Sequence, residues 1–221
     1  MSIAENLKRI KADLPEGVRL VAVSKFQPVE AVKAAYDAGQ RLFGESRVQE
    51  LVAKIPQLPG DIEWHFIGHL QTNKVKQVIG KTALIESVDS IRLLDAIDAE
   101  SRRRGVVTKV LLEVHVANEE TKSGFTPEEI ESYFENREFE TLTNVHISGL
   151  MAMATNTDDE SRVREDFSAV SRLFNRVKEI CGEELRGFDT LSMGMSGDWE
   201  LAVAEGSNMV RIGTAIFGER V

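Results

Sequence analysis

Lys25 closes the run Val18-Arg19-Leu20-Val21-Ala22-Val23-Ser24, so a long amine stands where an otherwise apolar strand meets its loop. Burial disfavours the ammonium form, and an amine kept neutral there is a nucleophile able to form a Schiff base with an aldehyde. Taken with this strand alone, the same lysine also fits a side chain that lays its methylenes on apolar surface and keeps its charge in water. Two glycine-bearing turns bear on the choice. Ser192-Met193-Gly194-Met195-Ser196-Gly197 and Gly213-Thr214-Ala215 lie at the ends of the last two apolar runs. Glycine lets main-chain N–H groups come close to an anion, and Ser192 and Thr214 add hydroxyl donors. Either turn alone fits simple packing. Together with a strand-terminal lysine they suit an aldehyde that carries a phosphate, of which pyridoxal 5'-phosphate is the evident example. Arg211 precedes Gly213 by two residues and shares its face of the last strand. It fits either a structural ion pair or a partner for the pyridine nitrogen. In the second role a permanent cation donates a hydrogen bond but releases no proton, so the ring stays unprotonated and is a weak electron sink.

These residues need a scaffold that brings distant strand ends together. Short β-rich apolar runs recur at 18–24, 41–44, 62–67, 83–86, 108–116, 145–151, 190–193 and 209–213, each but the last followed by a segment of helical period. Pro28 stands where a first helical residue would, with Val29, Val32 and Tyr36 at helical spacing and Gly39 closing the element. Thr126-Pro127-Glu128-Glu129 reads as a capping box. Val163, Phe167, Val170, Phe174 and Val177 form one apolar stripe that Gly182 ends. Residues 2–14 read as an extra amphipathic helix, Asp158-Asp159-Glu160 as a loop leading into a helix, and Arg102-Arg103-Arg104 as a solvated helix C-terminus. Eight strands alternating with seven helices predict a single-domain (β/α)8 TIM-type barrel over residues 1–221, with the helix at 1–14 packed on it.

The 221 residues suit one such domain, with 42% hydrophobic and 29% charged side chains. With 36 acidic against 27 basic residues, the net charge of -9 disfavours nucleic acid and anionic membranes as partners. A single cysteine, Cys181, rules out an intramolecular disulfide and suits a core or helix-end thiol. With no apolar leader and no membrane-length run, a cytoplasmic location is expected. An acidic surface without an evident apolar stripe points to a monomer. No metal site is expected: His65 and His69 are four apart, but Gly68 between them ends a strand. His65 is expected in a polar layer of the barrel and His69 at its mouth. Met151, Met153, Met193 and Met195 are expected to wall the pocket, Met193 in contact with the cofactor.

Lys25 within Ala22-Val23-Ser24-Lys25, FGESRVQE at 43–50, WHFIGHLQTNK at 64–74, SGLMAM at 148–153 and LSMGMSGDWELAVAEGSNMVRIGTAIFG at 191–218 resemble the pyridoxal phosphate homeostasis proteins. The resemblance runs from about residue 18 onward. It implies a barrel similar to the N-terminal domain of alanine racemase, a Schiff base from Lys25 to pyridoxal 5'-phosphate, Arg211 facing the ring nitrogen, and Ser192, Gly213 and Thr214 on the phosphate. Ser46 stands where the family usually has asparagine, which shortens a polar contact near the cofactor. Gln27 replaces a frequent second lysine, and Lys122 matches another family lysine and is the candidate for a secondary contact.

The expected function is therefore to hold, buffer and deliver the cofactor to recipient apo-enzymes without turning over a substrate. An amino-acid racemase is the alternative. Two-base racemisation needs a base on each face of the α-carbon, and alanine racemase takes its second base, a tyrosine, from another domain and subunit. Tyr36 and Tyr133, the two tyrosines here, fall in predicted helices. A phosphosugar-type barrel enzyme using Lys25 without a cofactor is a third possibility and leaves Arg211 idle.

Overall fold

In a computed structural model, residues 2–116 and 123–218 are described. Eight parallel strands close into a barrel in chain order: β1 (Arg19–Val23), β2 (Leu42–Glu45), β3 (Glu63–Phe66), β4 (Leu84–Val88), β5 (Thr108–Val114), β6 (Val145–Ala152), β7 (Thr190–Ser192) and β8 (Met209–Ile212). The ring is completed by β8 pairing with β1, Val21 opposite Arg211. The predicted (β/α)8 architecture is the observed one.

Nine α-helices accompany the strands among the described residues: α1 (Ile3–Asp13), α2 (Val29–Asp37), α3 (Val48–Lys54), α4 (Val75–Val78), α5 (Ile91–Arg104), α6 (Pro127–Glu135), α7 (Glu160–Cys181), α8 (Trp199–Ala204) and α9 (Thr214–Phe217). α1 is the extra helix, capped by Ser2 and Glu5 and fastened by Asn6 Nδ2 donating to the Ile216 carbonyl at 3.0 Å. The capping box at Thr126 and Glu129 forms, Asp159 caps α7, and the stripe from Val163 to Val177 is buried. Two local expectations change. Pro28 is the cap of α2 rather than its first residue, with ψ 160, because the capping residue takes an extended conformation and the proline ring tolerates it. The arginines ending α5 are more than a solvated cap: Arg102 pairs with Asp98 at 2.6 Å, and Arg104 donates to the Ile79 and Lys76 carbonyls of the neighbouring α4 turn. α9 was not foreseen, being four residues directly after a strand.

Strand pleating divides the core. Outward side chains meet the helices in one large cluster, while Val21, Leu84, Leu111, Met151 and Met209 form a separate layer inside the barrel. Two residues further along their strands come Glu86, Glu113 and Arg211, all buried. The interior thus turns from apolar to polar on approaching the C-terminal mouth. Between β6 and β7 the chains approach so closely that a Cβ on Gly149, at φ +152, would lie 1.7 Å from the Thr190 carbonyl oxygen. Among the described residues no helix is long and apolar enough to cross a membrane.

Candidate functional site

The candidate residues converge on one sector of the mouth, at the ends of the adjacent strands β7, β8, β1 and β2. Lys25 lies in the turn after β1 and is half-buried. Its neighbour Phe26 has φ +64, a left-handed conformation rare for a bulky side chain, and is 46% exposed. Ser46 follows β2. A Cβ on Gly68 would fall 2.2 Å from the Ser46 carbonyl oxygen, so the glycine after β3 lets the two loops touch backbone to backbone.

Arg211 is buried inside the barrel and held on two sides. Its Nη1 donates to the Ser192 carbonyl at 2.8 Å and to Ser192 Oγ at 2.6 Å, and Nη2 donates to the Ala152 carbonyl at 2.9 Å. These three bonds use three of the five guanidinium donors. Ser192 Oγ in turn donates to Glu86 Oε2 at 2.6 Å, and Glu86 Oε1 meets His65 Nδ1 at 2.5 Å. Glu86 Oε2 also lies 3.8 Å from Arg211. Burial pushes the Glu86 carboxyl up, but His65, Arg211 and Ser192 together outweigh it and hold it below its usual range. Burial likewise draws Arg211 below the usual guanidinium value against the pull of Glu86, Glu113 and Asp198. His65 therefore occupies the polar layer foreseen for it, and His69 is exposed at the rim, 2.9 Å from Asp89.

Ser192 thus faces the barrel interior, where it supports Arg211, rather than the turn at 193–197. The hydroxyl in that turn belongs to Ser196, which sequence reasoning passed over. Ser196 Oγ accepts from the Gly213 N–H at 3.4 Å and from the Ala215 N–H at 3.5 Å. Gly213 is tight as well: a Cβ there would sit 3.2 Å from the Val23 carbonyl oxygen. Thr214 is exposed at the start of α9. Strand alternation separates Ser192 from the loop, and that signal was present in the sequence. Met193 is wholly buried in the outer core, because it points away from the barrel interior. Met153 and Met195 instead line a cavity of about 850 Å³ over β5, β6 and β7, together with Glu113, His115, Ser196 and Trp199. Lys122 lies outside the described residues.

Beneath the Lys25 turn, in the layer between sheet and helices, is a second buried charge cluster. Lys54 Nζ of α3 donates to Glu45 Oε1 at 2.7 Å, to the Ser24 carbonyl at 2.8 Å and to Glu50 Oε2 at 3.3 Å. Ser24 Oγ donates to Glu45 Oε1 at 2.7 Å, and the Phe26 N–H donates to Glu50 Oε2 at 2.7 Å. Burial pushes the Glu45 carboxyl up despite these bonds.

The alanine racemase N-terminal domain family matches residues 1–221. A pyridoxal phosphate homeostasis protein of Aquifex aeolicus is 41% identical over 207 residues, covering 91% of this chain and 87% of the relative. The chain belongs to the pyridoxal phosphate homeostasis protein family. The family member from Pasteurella multocida is 37% identical and covers 100% of this chain and 98% of its own. Among solved structures, PipY of Synechococcus elongatus PCC7942 with PLP bound superposes with a TM-score of 0.89 at 36% identity, covering 98% of this chain and 100% of that one. An alanine racemase of Clostridium difficile 630 shares the fold, with a TM-score of 0.79 at 17% identity, this chain spanning 56% of its length.

Proposed function

We propose that this chain binds pyridoxal 5'-phosphate through Lys25 and serves to hold, buffer and deliver it, without turning over a substrate. The observation that carries the reading is the convergence of Lys25, Arg211 and the Ser196 turn on neighbouring strand ends of one barrel. The donor set suits the cofactor. The main-chain N–H groups of Gly213 and Ala215, gathered on Ser196 Oγ by long bonds of 3.4 and 3.5 Å, fit a phosphate that would replace the hydroxyl as their acceptor and take its proton as a further donor. When bound, the cofactor supplies an aldehyde carbon with which the Lys25 amine condenses, a C=N bond forming as the carbonyl oxygen leaves as water.

Arg211 keeps two guanidinium donors for a ring nitrogen and yields no proton to it. Ser192, Ala152 and Glu86 fix the plane of that guanidinium. Ser46 stands beside the Lys25 turn as a polar neighbour, and Gly213 and Thr214 complete the phosphate side. Met193, buried in the outer core, acts only by shaping the β7 turn.

A holding role is further supported by the tyrosines. Tyr36 of α2 donates its hydroxyl to Asp61 Oδ1 at 2.7 Å and Tyr133 is buried in α6, so neither offers a second base at the mouth. On this reading the protein acts as a monomer that delivers cofactor to apo-enzymes in the cytoplasm. The test is the absorption spectrum between about 300 and 500 nm of wild type and Lys25→Ala, before and after borohydride, with peptide mapping. A band lost on reduction, with the label on Lys25 and no adduct in a folded Lys25→Ala, is expected. A wild-type protein that takes up no pyridoxal 5'-phosphate, or a Lys25→Ala protein that keeps a stoichiometric adduct, overturns the proposal.

A further inference from the structure

Lys25 sits between two residues whose main chains are gripped from below. On one side, the Ser24 carbonyl accepts from Lys54 Nζ at 2.8 Å, and the Ser24 N–H donates to the Gly44 carbonyl at 3.0 Å. On the other, the Phe26 N–H donates to Glu50 Oε2 at 2.7 Å, and Glu50 is itself bound to Lys54 at 3.3 Å. One ammonium therefore ties together the chain before Lys25, the carboxylate that holds the chain after it, and Glu45 at the end of β2. Lys54 is only 6% exposed and Glu45 is fully buried. Burying a lysine and a carboxylate is costly unless both are paired, and a pair of this kind is weak evidence of a stability function. Between them the chain is forced through φ +64 at Phe26, a conformation that persists only where surroundings over-determine it.

We infer that Lys54 is a positioning residue for Lys25, acting with Glu45 and Glu50 as a clasp that fixes the main chain from which the reactive amine departs. The inference rests on the reading of Lys25 as the cofactor-bonding amine and adds what makes that amine fast. Strain at Phe26 is then the consequence of presenting Lys25 at the barrel mouth on a turn too tight to relax. Misplacing a reacting group by about 1 Å can slow a reaction by up to about a hundredfold. Loss of the clasp is expected to slow capture without removing the amine.

The test uses the full chain in four forms: wild type, the Lys54→Met/Glu45→Gln double variant, Glu50→Ala and Glu50→Gln. The double variant removes both buried charges together, so neither is stranded. The first readout, in cofactor-free protein, is hydrogen exchange at the Phe26 and Gln27 amides. The second is the rate at which added pyridoxal 5'-phosphate yields the borohydride-fixed adduct at Lys25. In the double variant and in Glu50→Ala, exchange is expected to rise and capture to slow, each by roughly tenfold. Glu50→Gln, which keeps an oxygen for the Phe26 N–H, is expected to recover most of the rate. If the double variant fails to fold, Glu50→Ala and its Gln counterpart decide alone. Unchanged exchange overturns the inference, and so does raised exchange with capture within about twofold of wild type. A wild-type protein that forms no adduct at Lys25 removes the functional reading instead, and the exchange data still report on the clasp.

Discussion

Glu86 and Arg211 lie 3.8 Å apart inside the barrel, with Ser192 bonded to both and His65 closing the far side. Removing one partner of such a pair strands the other in a low-dielectric interior, at a cost of about 3–5 kcal/mol, whereas removing both leaves less to desolvate. Arg211→Met and Glu86→Gln are each expected to destabilise the fold by that order, and the double variant by less than their sum, with a coupling of about 1–3 kcal/mol. Urea denaturation of the four proteins measures it; additive costs would mean that the two groups do not share a network. The same geometry decides how the ring-facing role should be probed. Arg211→Glu places a second carboxylate beside Glu86, so a spectral change in that variant would mix lost contact with disrupted packing. Arg211 was legible in the sequence by its face and its distance from Gly213. Glu86 was legible only as the end of an apolar run, because the partners that make its burial tolerable come from β3, β7 and β8. Ser196 was overlooked because Ser192 closes its strand, while the pleat turns Ser192 inward, within reach of the Arg211 guanidinium.

At the scale of elements, the strands were found to within two residues because their apolar runs are short and sharply bounded. The α2 boundary slipped by one at Pro28, where a proline cap and a proline first turn look alike in sequence. The Lys54 clasp was invisible for a different reason: charged residues nine apart read as solvated, and only the packing of α3 on β2 buries them together. Element contacts also set limits on substitution. β7 has just three residues and approaches β6 through Gly149, where a Cβ would meet main chain at 1.7 Å and cannot be absorbed by a rotamer change. Gly149→Ala is expected to cost about 3 kcal/mol or more, because backbone rather than a side chain must yield. Gly60→Ala, where a new methyl meets nothing within 4 Å, is expected to stay within about 0.5 kcal/mol of wild type. Thermal melts of the pair separate close packing at β6 and β7 from a general sensitivity to alanine.

Across the whole molecule, the net charge of -9 is unevenly expressed in stability. Glu86, Asp98 and the partly buried Glu100, the last drawn down to about 2 by Arg103 and Arg104, have carboxyls held below their ordinary values. For such groups the folded state releases the proton more readily than the unfolded chain. Their contribution is present above the unfolded value and is lost as pH falls through the folded one. Glu113 has the opposite sign. Burial, reinforced by Asp89, raises its carboxyl above the ordinary 4.5 despite Arg211, His69 and Ser123. The folded state then binds that proton more tightly, so ionisation costs stability from about the unfolded value upward and the cost is complete once pH exceeds the folded value. Glu113→Gln keeps the shape and cannot ionise. It is expected to melt higher than wild type at pH 7, each kcal/mol recovered being worth about 2–4 °C in a chain of this size. Below 4.5, where the wild-type carboxyl is protonated in both states, the two melting curves are expected to converge. A variant less stable than wild type at neutral pH would instead mean that the Glu113 charge, facing the Arg211 guanidinium at the mouth, stabilises the polar layer more than its burial costs.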